Sequence, residues 1–272
     1  MIDGGLCTKG ITKHSQENMP LITVVTVVCN GENILEETIL SVINQTYTNI
    51  EYIIIDGAST DRTLDIIRKY EDRIDYWMSE PDEGIYNAMN KGIDLATGDW
   101  INFMNSGDVL YGQSTVEELV SNTNRYDIVY GDTIKSNGKY EKARKLIIMN
   151  FGMCFCHQSC IVRAAIMKEQ CFNLKYRIGA DYYFFLWCRL NNKNFFYLAK
   201  PISIYDINGF SARKRVELVK EAMLTVNELW PKRIGVFYLY QITRLFRDLL
   251  IRDNKIDTIQ TIKILFCRKK EV

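Results

Sequence analysis

Leu21 to Val28 is an unbroken run rich in β-branched residues, and Glu36 to Asn44 follows it with Ile39, Leu40, Val42 and Ile43 at helical spacing. That pairing predicts a buried strand and then a helix. Ile50 to Ile55 repeats the strand pattern and ends at Asp56-Gly57, after which Thr60 to Tyr70 carries Leu64, Ile66 and Ile67 on a helical face. A short strand is predicted at Ile74 to Met78. Pro81-Asp82-Glu83-Gly84 opens a helix with Ile85, Ala88, Met89, Gly92, Ile93 and Ala96 on one side, Gly98 closes it, and Trp100 to Met104 is the next strand. Strands alternating with helices of this length predict right-handed βαβ units and a mostly parallel sheet.

Beyond residue 110 the rhythm changes. A helix is predicted around Thr115 to Asn122 and a strand at Asp127 to Tyr130, and Thr133-Ile134 and Lys145 to Met149 flank Asn137-Gly138, a hairpin signal. Ile178 to Leu190 reads as a helix, followed by strands near Phe195 to Leu198 and Ile202 to Tyr205. Glu217 to Trp230 and Ile234 to Ile251 are helical by spacing. Met1 to Asn18 is polar, carries Gly4, Gly5 and Gly10, and has no apolar segment of the secretory kind, so a disordered lead is expected. The expected organisation is a lead over 1–19, a nucleotide-binding type of half over 20–110, a mixed half over 111–212 and a helical extension over 213–272.

At 272 residues and 47% hydrophobic content, the chain can build one large core or two small ones. Its 34 basic and 33 acidic residues leave a net charge of +1, so no global field recruits nucleic acid. The 8 cysteines lack the dense spacing of a secreted disulfide scaffold, and a reducing cytoplasm is the simplest expectation. No run of 18 apolar residues occurs, which argues against a membrane-spanning helix.

The loops after Val28, Ile55 and Met104 converge on one edge of such a sheet, where ligands bind. They carry Cys29-Asn30-Gly31-Glu32, Asp56-Gly57-Ala58-Ser59-Thr60-Asp61 and Asn105-Ser106-Gly107-Asp108. A hard cation carrying a diphosphate takes oxygen ligands of this kind. The same residue types also make turns, and Ser59 or Thr60 also caps helices. Neither Gly-x-Gly-x-x-Gly nor a P-loop occurs, so nucleotide binding here rests on side chains and metal. Cys154, Cys156, His157 and Cys160 have the chemistry of zinc ligands, but structural zinc sites use two well-separated ligand pairs, which this crowded run does not supply. Asp132 orients an acceptor or marks a turn. Arg213, Lys214 and Arg215, after Asn208-Gly209-Phe210-Ser211, close over a diphosphate as lids do or form a solvated face. Ile234 to Ile251 sets Phe237, Tyr238, Ile242, Leu245, Phe246 and Leu249 against Gln241, Arg244, Arg247 and Asp248, with Arg268, Lys269 and Lys270 beyond. A membrane-surface helix, packing on the rest of the chain and a second subunit each fit that pattern.

The motifs together carry a resemblance. Asn30-Gly31 after the opening strand, Ile55 through Thr63, Gly84 through Gly92, Ala96-Thr97-Gly98-Asp99, Phe103 through Asp108, His157-Gln158-Ser159, Ala180-Asp181-Tyr182 and Asn208-Gly209-Phe210-Ser211 stand in one order. In that order the chain resembles a family 2 glycosyltransferase of the GT-A fold over roughly residues 20–212. Among these it is most similar to the transferases that assemble bacterial O-antigen, capsule or exopolysaccharide.

The resemblance implies an α/β fold of GT-A type, a mostly parallel mixed sheet flanked by helices, with a C-terminal helical segment. It implies that the 20–110 half binds a nucleotide sugar, UDP-linked, and that the 111–212 half binds a saccharide or lipid-linked saccharide acceptor. Asn30, Glu32, Asp56, Asn90 and Asn105 would then meet the nucleotide, Asp108 a Mn2+ or Mg2+ ion, and Asp181 would be the base of an inverting reaction. His157, Asp132, Arg213 and Lys214 would lie near the acceptor or diphosphate. The chain departs from the family at Gly107, where a carboxylate usually meets the metal, and at Met89, where an arginine often stands near the nucleotide. Lys91 is a replacement cation or a solvated helix-face lysine. A cytoplasmic protein is implied, peripheral on the inner face of the membrane through its C-terminal helices or paired as a homodimer. The alternatives are a catalytically inactive nucleotide-sugar-binding protein, favoured by Gly107 and Met89, and a sugar-nucleotidyltransferase, which needs a basic Gly-rich loop where Cys29-Asn30-Gly31-Glu32 stands.

Overall fold

The computed structural model describes residues 1–123, 125–207 and 214–251, without the side chains of Arg215 and residues 245–251. The first half holds β1 (Ile2–Gly4), β2 (Ile22–Val28), α1 (Leu35–Ile43), β3 (Ile50–Asp56), α2 (Thr63–Lys69), β4 (Tyr76–Ser79), α3 (Ile85–Leu95) and β5 (Trp100–Phe103). After it come β6 (Val109–Leu110), α4 (Thr115–Val120), β7 (Ile128–Lys135), β8 (Tyr140–Glu141), β9 (Cys160–Arg163), α5 (Ala164–Glu169), α6 (Ala180–Leu190) and β10 (Phe195–Tyr205). The chain ends in α7 (Arg215–Leu229) and α8 (Ile234–Ile251).

The strands form one mixed sheet in the order β1-β4-β3-β2-β5-β9-β7-β10-β6, with β8 paired to β7. The run β4-β3-β2-β5 is parallel, as the βαβ rhythm predicts. β9 is antiparallel to both β5 and β7, and β10 is parallel to β7. Two reversals restore the original direction, so β10 ends on the same edge as β2, β3 and β5. That edge is where the site forms.

β2 and β3 are buried along their whole length because helices cover both faces. Val25, Val27, Ile53 and Ile55 face α3 and α6, whereas Ile22, Val24, Tyr52 and Ile54 face α1 and α2. The Ala96-Thr97-Gly98-Asp99 motif is a structural lock. Buried Glu51 accepts hydrogen bonds from Thr23 Oγ1, Thr97 N and Thr97 Oγ1, and Gly98 N donates to Thr23 Oγ1. A side chain at Gly98 would meet the backbone of Leu21 and Thr23, which cannot give way.

Four expectations are corrected. The lead is ordered: β1 pairs antiparallel with β4, Leu6 N and Cys7 N donate to Ile74 O and Asp75 O, and Lys13 pairs with buried Asp75. β4 would otherwise leave an open sheet edge, and the lead satisfies its free backbone groups. The Asn137-Gly138 hairpin forms, but its second strand is β8, while Leu146–Met149 is a 3-10 turn. The two strands read at residues 195–205 are one strand, broken in register at Pro201, which cannot donate a ladder hydrogen bond. Gln241, placed on the polar face of the last helix, is buried and donates to Phe151 O at 2.8 Å, while Tyr240 stacks on Phe151. One face of α8 is therefore packed on the body of the protein. Among the described residues no helix is long and apolar enough to cross a membrane.

Candidate active site

The loops after β2 and β3 are laced together. Asn30 N donates to Ser59 Oγ, Thr60 N donates to Asn30 Oδ1, and Gly31 N donates to Thr63 Oγ1. Two more bonds cross the same gap: Glu32 N donates to Asp61 Oδ2 and Arg62 N to Glu32 Oε2. Asn30 and Ala58 hold left-handed backbone at φ 53° and 56°. Asparagine accepts that conformation readily, but alanine does so only under restraint from its neighbours. Asp56 is fully buried and accepts hydrogen bonds from Ser59 N, Ser59 Oγ and Ser79 Oγ.

The loop after β5 sits beside them. Asp108 is buried, with Oδ2 accepting from Gln158 Nε2 at 2.6 Å and Oδ1 from Asp206 N at 2.9 Å. Burial pushes its carboxyl up from the ordinary 3.8 to about 6, against those two hydrogen bonds. Gly107 has φ +94°, a conformation that favours glycine, and a Cβ there would approach Ile34 Cδ1 at 3.3 Å and the Asp206 carboxylate at 3.6 Å. This explains the missing acid: the backbone leaves no relaxed place for one, and a second carboxylate, Asp206, already stands against the loop. Gly107→Asp is therefore expected to destabilise the fold by roughly 1–3 kcal/mol without tightening metal binding, read as a lower melting temperature and an unchanged Mn2+ titration.

A chain of polar contacts runs from this loop to α6. Asn105 Nδ2 lies 3.2 Å from His157 Nε2, and His157 Nδ1 lies 3.3 Å from Asp181 Oδ2. Donation by the asparagine amide makes Nε2 the acceptor, so Nδ1 carries the proton that faces Asp181. Asp181 Oδ1 also accepts from Tyr182 N at 2.8 Å and meets the Tyr86 hydroxyl at 3.1 Å, which Tyr86 shares with Ile178 O at 2.7 Å. Burial, and then the Asp181 charge, hold the Tyr86 hydroxyl well above the usual tyrosine range. The arrangement leaves the buried Asn105 Oδ1 without a hydrogen-bond partner. A buried polar atom of this kind is met by a water, a ligand or an ion.

The remaining expected residues fall elsewhere. Asn90 is engaged at both ends of its amide: its Nδ2 donates to Phe172 O and its Oδ1 accepts from Phe172 N, so it pins the segment before α6. Asp132 stands inside a strand and not in a turn. It is buried within β7 and accepts from Tyr197 Oη, Tyr140 Oη and Ala143 N, which fastens the β7–β8 hairpin to β10. Lys91 pairs with Glu80 at 2.8 Å and donates to Pro81 O. Met89 is fully buried in the core. Lys214 lies just before α7, whereas Arg213 and the Asn208–Ser211 motif lie outside the described residues. Burial raises the thiols of Cys154, Cys156 and Cys160, that of Cys154 to about 12, so they stand as protonated core groups. Tyr86 and Asp206 are site residues that sequence reasoning missed; Tyr86 lay inside the Gly84–Gly92 motif.

An open mixed sheet with flanking helices and an acidic loop at the strands' carboxyl edge is the GT-A architecture. Residues 23–192 match Glycosyl transferase family 2, and the chain belongs to that family: it is a glycosyltransferase. A PGL/p-HBAD biosynthesis glycosyltransferase of Mycobacterium bovis is 32% identical over 181 residues, covering 63% of this chain and 71% of that protein. An uncharacterized glycosyltransferase of Haemophilus influenzae is 38% identical over 105 residues, 38% of this chain and 42% of that protein. The fold is similar to S. aureus TarS 1-349 in complex with UDP, with TM-score 0.62 and 19% identity over 76% of this chain; the chain spans 65% of that one. It is also similar to the mannosyltransferase PcManGT from Pyrobaculum calidifontis in complex with GDP-Man and Mn2+, with TM-score 0.59 and 12% identity over 95% of this chain and 90% of that one.

Proposed function

We propose that the protein is an inverting transferase that moves a sugar from a UDP-linked donor to a hydroxyl of a glycan or lipid-linked saccharide in cell-surface polysaccharide assembly. The observation that carries this reading is the continuous chain Asn105-His157-Asp181-Tyr86, which ties the donor-side loop to a carboxylate at the start of α6. On this reading Asn30, Glu32 and Asp56 shape the nucleoside pocket, and Asn105 Oδ1 meets the ribose or the ion. Asp181 takes the proton from the acceptor hydroxyl as that oxygen attacks the anomeric carbon, and its hydrogen bonds from Tyr86 Oη and Tyr182 N, with His157 Nδ1 3.3 Å from its other oxygen, fix its direction. Proton removal of this kind contributes roughly 10²- to 10⁴-fold.

The residues fit a Mn2+ or Mg2+ ion that arrives with the nucleotide. Such an ion takes one or two carboxylates and completes its shell with phosphate oxygens and water. Asp108 and Asp206 supply the carboxylates, and Asn105 Oδ1 is an oxygen in want of a partner. Each Asp108 oxygen accepts one protein hydrogen bond and retains a further lone pair. Among the described residues no group of three His, Cys, Asp or Glu converges into a ready metal cage, in keeping with an ion held partly by the substrate. When bound, the ion offsets charge on the leaving diphosphate. Arg213 and Lys214 would close over the same phosphates. A cytoplasmic protein resting on the membrane's inner face, or pairing with a second copy, would use exposed Val236 and Leu239 on α8.

A panel of UDP-, GDP- and dTDP-sugars with Mn2+ or Mg2+, scored for nucleoside diphosphate release, tests the reading. Slow release from a UDP-sugar is expected. Binding of the donor with no release under any acceptor would instead favour a catalytically inactive nucleotide-sugar-binding protein.

A further inference from the structure

Residues 170–179, between α5 and α6, form no helix or strand, yet they lead directly into Asp181 near the start of α6. A connection of this kind is placed by whatever its backbone and side-chain groups bond to. α7 supplies two acids to it, and they act differently. Glu228 takes side chains: Lys175 Nζ at 2.6 Å, Tyr176 Oη at 3.0 Å and Tyr183 Oη at 3.1 Å donate to it. Those bonds dock α7 against the connection and against α6. Glu221 takes backbone instead: Oε1 accepts from Arg177 N at 3.0 Å, and Oε2 accepts from Ile178 N at 2.9 Å and Gly179 N at 2.8 Å. Three successive N–H groups turned on one carboxylate make an anion-binding concavity, which the chain fills with its own charge.

The same peptides are held from their other side. Ile178 N donates to Glu221, while Ile178 O accepts from the Tyr86 hydroxyl at 2.7 Å, and that hydroxyl lies 3.1 Å from Asp181 Oδ1. Gly179 O accepts from Tyr183 N at 3.1 Å, closing the helical turn that contains Asp181. Only Ala180 separates Gly179 from Asp181. A general base has to be aimed as well as present, since a misplacement of about 1 Å can cost about 10²-fold in rate. Docking of α7 through Glu228 does not fix the peptide planes ahead of Asp181; the Glu221 bonds do.

Resting on the transferase reading, we infer that Glu221 is a positioning residue for the transfer step: its carboxylate fixes the backbone of residues 177–179 and, through it and Tyr86, the direction of Asp181. It acts through the backbone and takes no proton itself.

The test is a double-mutant cycle on the full chain, scored as UDP release from the UDP-sugar that the wild type cleaves. Glu221→Ala is expected to lower kcat by roughly 10- to 10²-fold with the donor KM within about twofold of the wild type. Formate, a small carboxylate for the emptied concavity, should raise kcat of this variant by roughly tenfold, and chloride at the same ionic strength should not. In an Asp181→Asn background the same substitution should change kcat by less than about twofold, and formate should have no effect. Glu221→Gln keeps the side chain's volume without its charge, so it carries the same cycle if the alanine variant fails to fold. Glu228→Gln, which loosens α7 alone, is expected to keep wild-type kcat. Wild-type kcat in Glu221→Ala, a loss that formate does not relieve, an equal loss in both backgrounds or an equal loss in Glu228→Gln overturns the inference. Full activity of Asp181→Asn by itself overturns the base assignment instead.

Discussion

Asp181→Asn is expected to lower the transfer rate by roughly 10²- to 10⁴-fold while leaving the donor KM close to that of the wild type. The amide keeps an acceptor for Tyr182 N and Tyr86, so the start of α6 survives. What it loses is the charge that accepts the acceptor's proton. Its NH2 would also face the proton on His157 Nδ1, forcing the imidazole into the other tautomer and breaking the link to Asn105. The measurement is steady-state kinetics with donor and acceptor varied separately. Full activity in this variant would remove Asp181 from the chemistry.

Asp108→Asn carries the second large effect, and it has two signs. The folded chain holds the Asp108 carboxyl at about 6 against an ordinary 3.8, so between those values it binds more protons folded than unfolded. Stability contributed at this position is present at low pH and is lost as pH rises through about 6. By neutral pH the buried charge costs roughly 3 kcal/mol, the shift of about two units at 1.36 kcal/mol each. In EDTA and without nucleotide, the wild type is expected to melt higher at pH 5.5 than at pH 7.5. Asp108→Asn should flatten that dependence, and because its NH2 must face either Gln158 Nε2 or Asp206 N, donor against donor, it should recover at pH 7.5 less than the roughly 3 kcal/mol of the buried charge. The same variant should lose roughly 10²-fold or more in kcat/KM, because the carboxylate no longer supports charge on the diphosphate. A carboxylate that weakens the resting fold and is needed for turnover is there for its chemistry. An inactive variant that is also less stable would make Asp108 a structural group.

The parts of the fold that sequence makes legible are those whose burial is symmetric. β2, β3 and β5 are covered on both faces, so they read as continuous apolar runs that no surface helix would show. β9 is only four residues long, Cys160–Arg163, too short to carry a periodic signal. β1 exists only because β4 needs an edge partner, a tertiary demand that Ile2-Asp3-Gly4 cannot announce. In the site, Asp181, His157, Asn105 and Asp108 were visible as motif positions, and the structure joins them. Asn90 and Asp132 looked the same from sequence, yet their partners are backbone groups and tyrosines brought near by folding. Asp206 stands in no motif. It reaches the Asp108 loop because β10 ends on the same edge as β5, a consequence of two antiparallel steps through β9.

The proposed role of Asp181 as the base calls for a single displacement, with the acceptor oxygen entering opposite the departing nucleotide. Proton NMR of the first sugar released from an α-linked UDP-sugar, recorded before mutarotation, reads this directly. The β anomer is expected first. Appearance of the α anomer first would contradict it.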